Sequence, residues 1–354
     1  MMETTIENLL TYAKQKGASD LHITVGIRPK CRIQGTLVEV EEAERVMPEL
    51  AKTLVTSMLG PDQERAINER GEVDFAYTLP QVGRFRVNAF KQRGSYAAVL
   101  RLVASEIPSA ESLGIPASVV RLTEKKRGMV LVTGLTGSGK STTLASLIDI
   151  INREQNVHII TLEDPIEYLH RHDKAIVNQR EIGLDTKSYA NALRAALRED
   201  PDIILVGEMR DLDTISTAIT AAETGHLVFS TLHTIGAAPT IDRIIDVFPP
   251  HQQTQVRVQL ASVLECIISQ QLLPTMDKKS RVAAFEVMHG TPAIKNLVRE
   301  GKTHQIDSMI QTSKKLGMQT MDDALFELYL RHRIDGERAV EYAQNSQAMQ
   351  EKLF

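Results

Sequence analysis

The chain has 354 residues and a formal charge of −4 at pH 7, from 41 Lys and Arg against 45 Asp and Glu. That length predicts two or three domains, each able to bury a core, and the acidic balance argues against a broad nucleic-acid surface. With 42% hydrophobic and 24% charged residues the composition is that of a soluble globular protein; no run approaches the roughly eighteen apolar residues of a membrane span, and MMETTIENLL lacks a basic segment followed by an apolar one, so a cytoplasmic protein without membrane insertion is expected.

In chain order, residues 3–17 predict an amphipathic helix ending at Gly17. The alternating stretches DLHITV, KCRIQG and TLVEV follow, then helical material to about Arg70, then DFAYTL, GRFRVNAF and YAAVLRLV. This pattern predicts an α+β domain with an antiparallel sheet over residues 1–104. SEIPSAESLGIPAS, residues 105–118, holds two prolines among small polar residues and reads as a linker. From Val119 the stretches GMVLVT, NVHIITL, DIILVG and HLVFSTL alternate with helical ones, which predicts a doubly wound, parallel α/β domain over 119–291. Residues 292–354 read as a helical segment without a strand. Cys31 and Cys266 form no CxxC pair, so buried reduced thiols are expected rather than a zinc ribbon or a disulfide framework.

GLTGSGKSTT, Gly134 to Thr143, fits G-x-x-x-x-G-K-[ST] through Gly134, Gly139, Lys140 and Ser141, and it lies between a strand pattern and a helix pattern as a phosphate-binding loop must. Gly137 and Gly139 let the backbone approach phosphates, with Thr136, Ser138 and Thr142 beside them. Lys140 would reach the β and γ phosphates of ATP, and the Ser141 hydroxyl would ligate Mg2+.

Carboxylates follow two of the predicted strands. DIILVGEMRD places Glu208 at the carboxyl edge of the sheet, and IITLEDPIEY places Glu163 and Asp164 there, with Pro165 preventing helix continuation. A lone acid after a strand is ordinarily a turn or cap residue, but two at strand ends beside a phosphate loop point to catalysis. HLVFSTLHT carries His226 and His233 at opposite ends of one strand, roughly 20 Å or more apart. Only His233 can therefore lie near the phosphates, and His226 is expected to support a sheet edge or subunit interface.

Taken together, GLTGSGKSTT, TLEDPIEY, RAALREDPDIILVGEMRD and GHLVFSTLHT resemble, in order and spacing, the secretion-type ATPases that form hexameric rings. The resemblance runs from ASDLHIT to GMQTMDDAL and is greatest to the ATPases that retract type IV pili. Two cysteines cannot build the tetracysteine zinc insert typical of assembly motors. AIKNLVRE resembles the AIRNLIRE motif of retraction ATPases, departing at Lys295 and Val298; arginine to lysine loses the planar fork. Ile235-Gly236 stands where the family's histidine box often has Asn-Ser.

The resemblance implies a RecA-like ATPase domain with a PAS-like N-terminal domain. It also implies a homohexamer at the inner face of the membrane, partnered by the pilus platform protein and a paralogous accessory ATPase. Glu163 would polarise the attacking water, Ser141 and Glu208 would hold Mg2+ directly or through water, and His233 would sense the γ-phosphate. Motion about the 105–118 linker would carry each step. Arg84 and Arg86 point to one face of a strand and would reach ATP bound by a neighbouring subunit; the ordinary alternative is a charged, solvated edge strand. Lys295 and Arg299, expected on the exposed face of a helix whose Ile294, Leu297 and Val298 pack inward, would couple hydrolysis to motion. Three other readings stay open: an assembly or type II secretion ATPase, a non-hydrolysing accessory protein, and a nucleic-acid motor.

Overall fold

The computed structural model describes residues 3–33, 35–103, 106–277 and 280–353. The chain forms two compact units, Met1–Ser105 and Glu106–Phe354.

In the first unit, all six stretches read as strands are strands: β1 (Asp20–Ile23), β2 (Lys30–Ile33), β3 (Thr36–Glu39), β4 (Glu72–Leu79), β5 (Gly83–Gln92) and β6 (Ser95–Leu102). They form one sheet in the order β3-β2-β1-β6-β5-β4, with every neighbouring pair antiparallel. The helix Ile6–Gln15 starts where the Thr5 hydroxyl accepts from the Asn8 amide, and Gly17, at φ 64°, supplies the left-handed turn that ends this segment. It buries Ile6, Leu9, Leu10 and Ala13, one face at helical spacing, where each large side chain contributes about 1.5–3 kcal/mol. Those residues share a core with Leu54 and Val55 of the helix Pro48–Thr56, Ile67 of the helix Pro61–Arg70, and Phe85, Val87 and Leu100 of the sheet.

The second unit is built on seven strands. The four stretches read from the sequence are β7 (Gly128–Thr133), β8 (His158–Glu163), β10 (Ile203–Val206) and β11 (Leu227–Leu232); the structure adds β9 (Ile176–Glu181), β12 (Leu264–Pro274) and β13 (Arg281–His289). Their order is β13-β12-β7-β11-β10-β8-β9, parallel throughout except for the antiparallel β12–β13 pair. Every residue of β7 is buried, as a strand covered on both faces requires. Met129 and Leu131 point into one core with Ile160, Ile204 and Val228, while Val130 and Val132 point into the other with Leu147, Ile159 and Phe229. The second unit is thus a RecA-like, doubly wound α/β domain.

Ser105, the first residue of the expected linker, lies outside the described residues. The rest of that stretch belongs to the second unit: Ala110 and Ile115 are buried with Val119 and Val130, and the Ser118 hydroxyl donates to Gly317 O at 3.0 Å. A free linker running as far as Ser118 therefore does not form, because its apolar residues complete a core. The segment from residue 292 is helical, and it packs into the same unit. Ile294, Val298 and Ile306 join the core that holds Met129, and Met321, Leu325, Ile334 and Ala339 pack with Leu273 and Ala284 of the β12–β13 hairpin. Among the described residues, no helix is long and apolar enough to cross a membrane, and both cysteines are buried and free.

Candidate nucleotide site

The turn between β7 and the helix Lys140–Glu154 is shaped by glycine. Gly134 has φ 144°, and a Cβ there would lie 2.3 Å from Gln270 O and 2.6 Å from Ser138 Oγ. Gly139, the N-cap of the helix, sits at φ 91°. The Thr143 hydroxyl donates to Gln270 Oε1 at 2.8 Å, so β12 braces the turn from behind. What faces outward is a helix N-terminus, which favours an anion through both its N–H groups and its dipole. Lys140 curls over this turn, its Nζ donating to Gly134 O at 2.8 Å and Leu135 O at 3.0 Å. Burial lowers its pKa, against the opposing fields of Glu208 and Glu167.

A cavity of about 490 Å³ opens in front of the turn, lined by Thr136, Gly137, Gly139, Lys140, Ser141 and Thr142. Glu163, Glu208 and His233 line it too. Parallel neighbours β8, β10 and β11 run in register, so the residues following them emerge at the carboxyl edge that β7 shares with the phosphate turn. Gly134 and Ser138 are not in the lining; they form the back of the turn.

Two hydrogen bonds fix Glu163, at the end of β8: Thr161 Oγ1 donates to its Oε1 at 2.6 Å, and Gln179 Nε2 donates to the same oxygen at 3.0 Å. Burial pushes its carboxyl pKa up, while those two donors and the Glu167 backbone amide work to lower it. The Asp164–Pro165 peptide that follows is cis. Glu208 stands after Gly207, where a Cβ would meet Tyr189 Oη at 2.9 Å and Leu162 O at 3.0 Å. Its Oε1 accepts from Arg210 Nε and lies 3.3 Å from His233 Nε2. His233 Nδ1 in turn is 3.4 Å from Thr136 Oγ1, so this histidine joins the phosphate turn to Glu208. His226 is at the other end of β11, its Nδ1 2.9 Å from Ala221 O.

The cavity also holds residues that the sequence reading did not single out. Tyr168 Oη is 3.0 Å from Thr142 Oγ1, tying the acidic loop to the first turn of the phosphate-loop helix. His170, Tyr189, Arg210 and Arg281 also line the cavity, beside Asp164 and Glu167 of the acidic box. Tyr168 belongs to the acidic box itself and was recognisable as its neighbour, whereas His170 and Arg281 carry no local signal.

The remaining predicted site residues lie outside this lining. Arg84 and Arg86 sit on β5 of the first unit, on the face opposite buried Phe85, Val87 and Ala89. Arg86 is directly opposite Arg101 on β6 and is exposed. On the helix Pro292–Arg299, Ile294, Leu297 and Val298 face the core. Arg299 is exposed, but Lys295 is not: its side chain is only 19% accessible, with Nζ 3.4 Å from Glu265 Oε1 and donating to Ser262 O at 3.3 Å. The expectation of an exposed Lys295 is corrected because Glu265, at the start of β12, draws both Lys295 and Lys125 onto itself.

A family described as type II/IV secretion system protein matches residues 1–350. Over 321 residues the chain is 50% identical to a twitching motility protein of Neisseria gonorrhoeae, covering 91% of this chain and 86% of that one. It is 48% identical over 342 residues to the "type IV pilus retractation ATPase PilT" of Pseudomonas aeruginosa, covering 96% and 98%. Its fold matches a crystal structure of the pilus retraction motor PilT with bound ADP at a TM-score of 0.92 and 49% identity, across 98% of this chain and 99% of that one. With the family spanning nearly the whole sequence and the phosphate turn, both carboxylates and the histidine gathered in one cavity, the chain belongs to the type II/IV secretion system protein family.

Proposed function

We propose that this chain is a Mg2+-dependent ATP hydrolase that works as a homohexamer at the cytoplasmic face of the membrane and drives disassembly of type IV pili. The observation that carries the proposal is the single cavity in which the glycine turn meets Glu163, Glu208 and His233. The near full-length similarity to a twitching motility protein and to a pilus retraction ATPase supports retraction over assembly or type II secretion.

In this reading the turn amides and Lys140 hold the phosphates of ATP. Lys140 exchanges the Gly134 and Leu135 carbonyls for phosphate oxygens, which is downhill for a buried ammonium next to negative charge. Ser141 and Glu208 would hold Mg2+, directly or through water. The donor set fits this ion: among the described residues no group of three or more His, Cys, Asp or Glu could cage a metal, and magnesium usually takes one or two protein ligands and the rest from phosphates and water. When bound, the ion neutralises charge on the phosphates. Glu163 orients and deprotonates the attacking water; its desolvated setting brings a carboxylate toward the basicity such a role needs. His233, between Thr136 and Glu208, senses the γ-phosphate.

Arg84 and Arg86 would act from a neighbouring subunit, where the hexamer sets the N-terminal domain of one copy against the nucleotide of the next. Rigid movement of the two units would carry each step, and Lys295 and Arg299 would pass it on. For Lys295 a route exists in the chain itself, since its partner Glu265 is the second residue of β12 and Gln270 of the same strand braces the phosphate turn. The inner-membrane platform protein and a paralogous accessory ATPase would be its partners. Deleting the gene and counting surface pili tests the direction of the motor: an excess of pili supports retraction, and bald cells overturn it in favour of assembly. Phosphate release by the purified chain excludes a non-hydrolysing accessory protein.

A further inference from the structure

Gln179 lies in the middle of β9 and belongs to none of the boxes that identify the site. In the parallel β8–β9 pair it is the register partner of Thr161, and Thr161 and Glu163 project from the same face of β8 because side chains alternate along a strand. All polar positions of its amide are engaged. Its Oε1 accepts from the His170 amide at 2.8 Å, and its Nε2 donates to Tyr168 O at 2.9 Å and to Glu163 Oε1 at 3.0 Å. The orientation of the amide follows from these partners. The His170 N–H can only donate and the Tyr168 carbonyl can only accept, so a flipped amide would lose both bonds. The amino group must therefore face Glu163.

We infer that Gln179 is a positioning residue of the hydrolytic site: it clamps the loop from Glu163 to His170 and aims one N–H at the carboxylate that acts on the attacking water. This rests on the role given to Glu163 under Proposed function. Two donors, Thr161 and Gln179, converge on Oε1, and the Glu167 backbone amide donates to the same carboxylate. Together these donors fix the orientation of the carboxylate in the cavity that it lines. The same clamp reaches the nucleotide side of the cavity, because Tyr168, held through its carbonyl by Gln179, presents its hydroxyl to Thr142 of the phosphate-loop helix. A misplacement of about 1 Å at a reacting group can cost on the order of 100-fold in rate, so the clamp bears on turnover while leaving phosphate binding to the glycine turn.

The test is steady-state kinetics of the full-length protein carrying Gln179→Met, which fills the volume without a donor, or Gln179→Glu, which keeps the shape and the acceptor for His170 but turns an oxygen toward Glu163. The expected result is a kcat lowered on the order of 10- to 100-fold with KM for ATP within about 2-fold. Wild-type kcat in either folded variant, or a raised KM with unchanged kcat, overturns the inference. Should Gln179→Met fail to fold, Gln179→Glu decides, with melting temperature and binding of a fluorescent ATP analogue confirming a native site. Glu163→Gln is run alongside: normal turnover in that variant removes the base itself, whereas its inactivity together with full turnover in the Gln179 variants removes only the clamp.

Discussion

His233 Nε2 lies 3.3 Å from Glu208 Oε1 while its Nδ1 lies 3.4 Å from Thr136 Oγ1, so one imidazole spans the phosphate turn and the second carboxylate. Glu208 is also bound by Arg210, whereas Glu163 is held by the neutral donors Thr161 and Gln179. The two carboxylates thus sit in different electrostatic settings, and their substitutions should separate. Glu163→Gln should bind ATP with near-normal affinity and lower kcat by about 100-fold or more, the usual scale for losing a general base. Glu208→Gln should in addition raise the magnesium concentration needed for half-maximal activity. Titrating Mg2+ against phosphate release in both variants checks the assignment, and reversed phenotypes would exchange the two roles.

Lys140→Ala should abolish hydrolysis and nucleotide binding without unfolding the chain. Among the described residues its ammonium hydrogen-bonds to two turn carbonyls, so the fold should lose about 1–3 kcal/mol at most, while a bound phosphate would lose a nearby cation. Circular dichroism together with phosphate release is the measurement. Normal turnover by the folded variant would remove the glycine turn from the mechanism.

Arg84 and Arg86 can be tested across subunits. A chain with both replaced by alanine should be inactive alone, and so should Lys140→Ala. Mixed rings should regain part of the activity, since some interfaces then pair an intact phosphate turn with intact arginines. If rings shown to have mixed stay inactive, these arginines only keep the exposed face of β5 soluble.

Lys295 and Arg299 differ in setting, and their variants should differ too. Lys295→Ala removes a largely buried partner of Glu265 and should cost about 1–3 kcal/mol, read as a lowered melting temperature. Arg299→Ala, whose exposed side chain bonds to Asn296 on its own helix, should leave stability nearly unchanged. Both should keep ATPase activity and fail in pilus retraction in cells. Parallel loss of hydrolysis and retraction would assign the helix to the catalytic fold instead.

His170 gives the site a pH dependence with a definite sign. Burial holds its imidazole at about 4, below the ordinary 6.5, and its Nδ1 is buried without a hydrogen-bond partner. The folded chain keeps it neutral while the unfolded chain protonates it. Its contribution to stability is therefore fully present above about 6.5 and is lost as pH falls to about 4, by at most about 3 kcal/mol. His170→Gln should flatten the fall in melting temperature across that window relative to the parent. An unchanged slope would show that this imidazole is solvated in the folded protein.

The strands of the first unit, the parallel core of the second, the glycine turn and the acids and histidine at strand ends were all legible in the sequence, because each is a local pattern. Period-2 alternation marks β1 to β6, continuous apolar runs mark β7, β8, β10 and β11, and a strand that ends in a charged residue places it at the sheet's carboxyl edge whatever the rest of the chain does. What the tertiary structure alone decided is which distant groups support those residues. IVNQRE of β9 has no clear apolar period and becomes a strand by pairing with β8, and β12 follows the helix Pro250–Val263 without a break. Gln270 braces Thr143 from 127 positions away, and the pairing of Lys295 with Glu265 depends on a helix packing beside the entry to β12. A hydrogen bond or ion pair is set by where two polar groups come to rest within about 3 Å, and for groups this far apart in sequence that is settled by how the apolar faces pack.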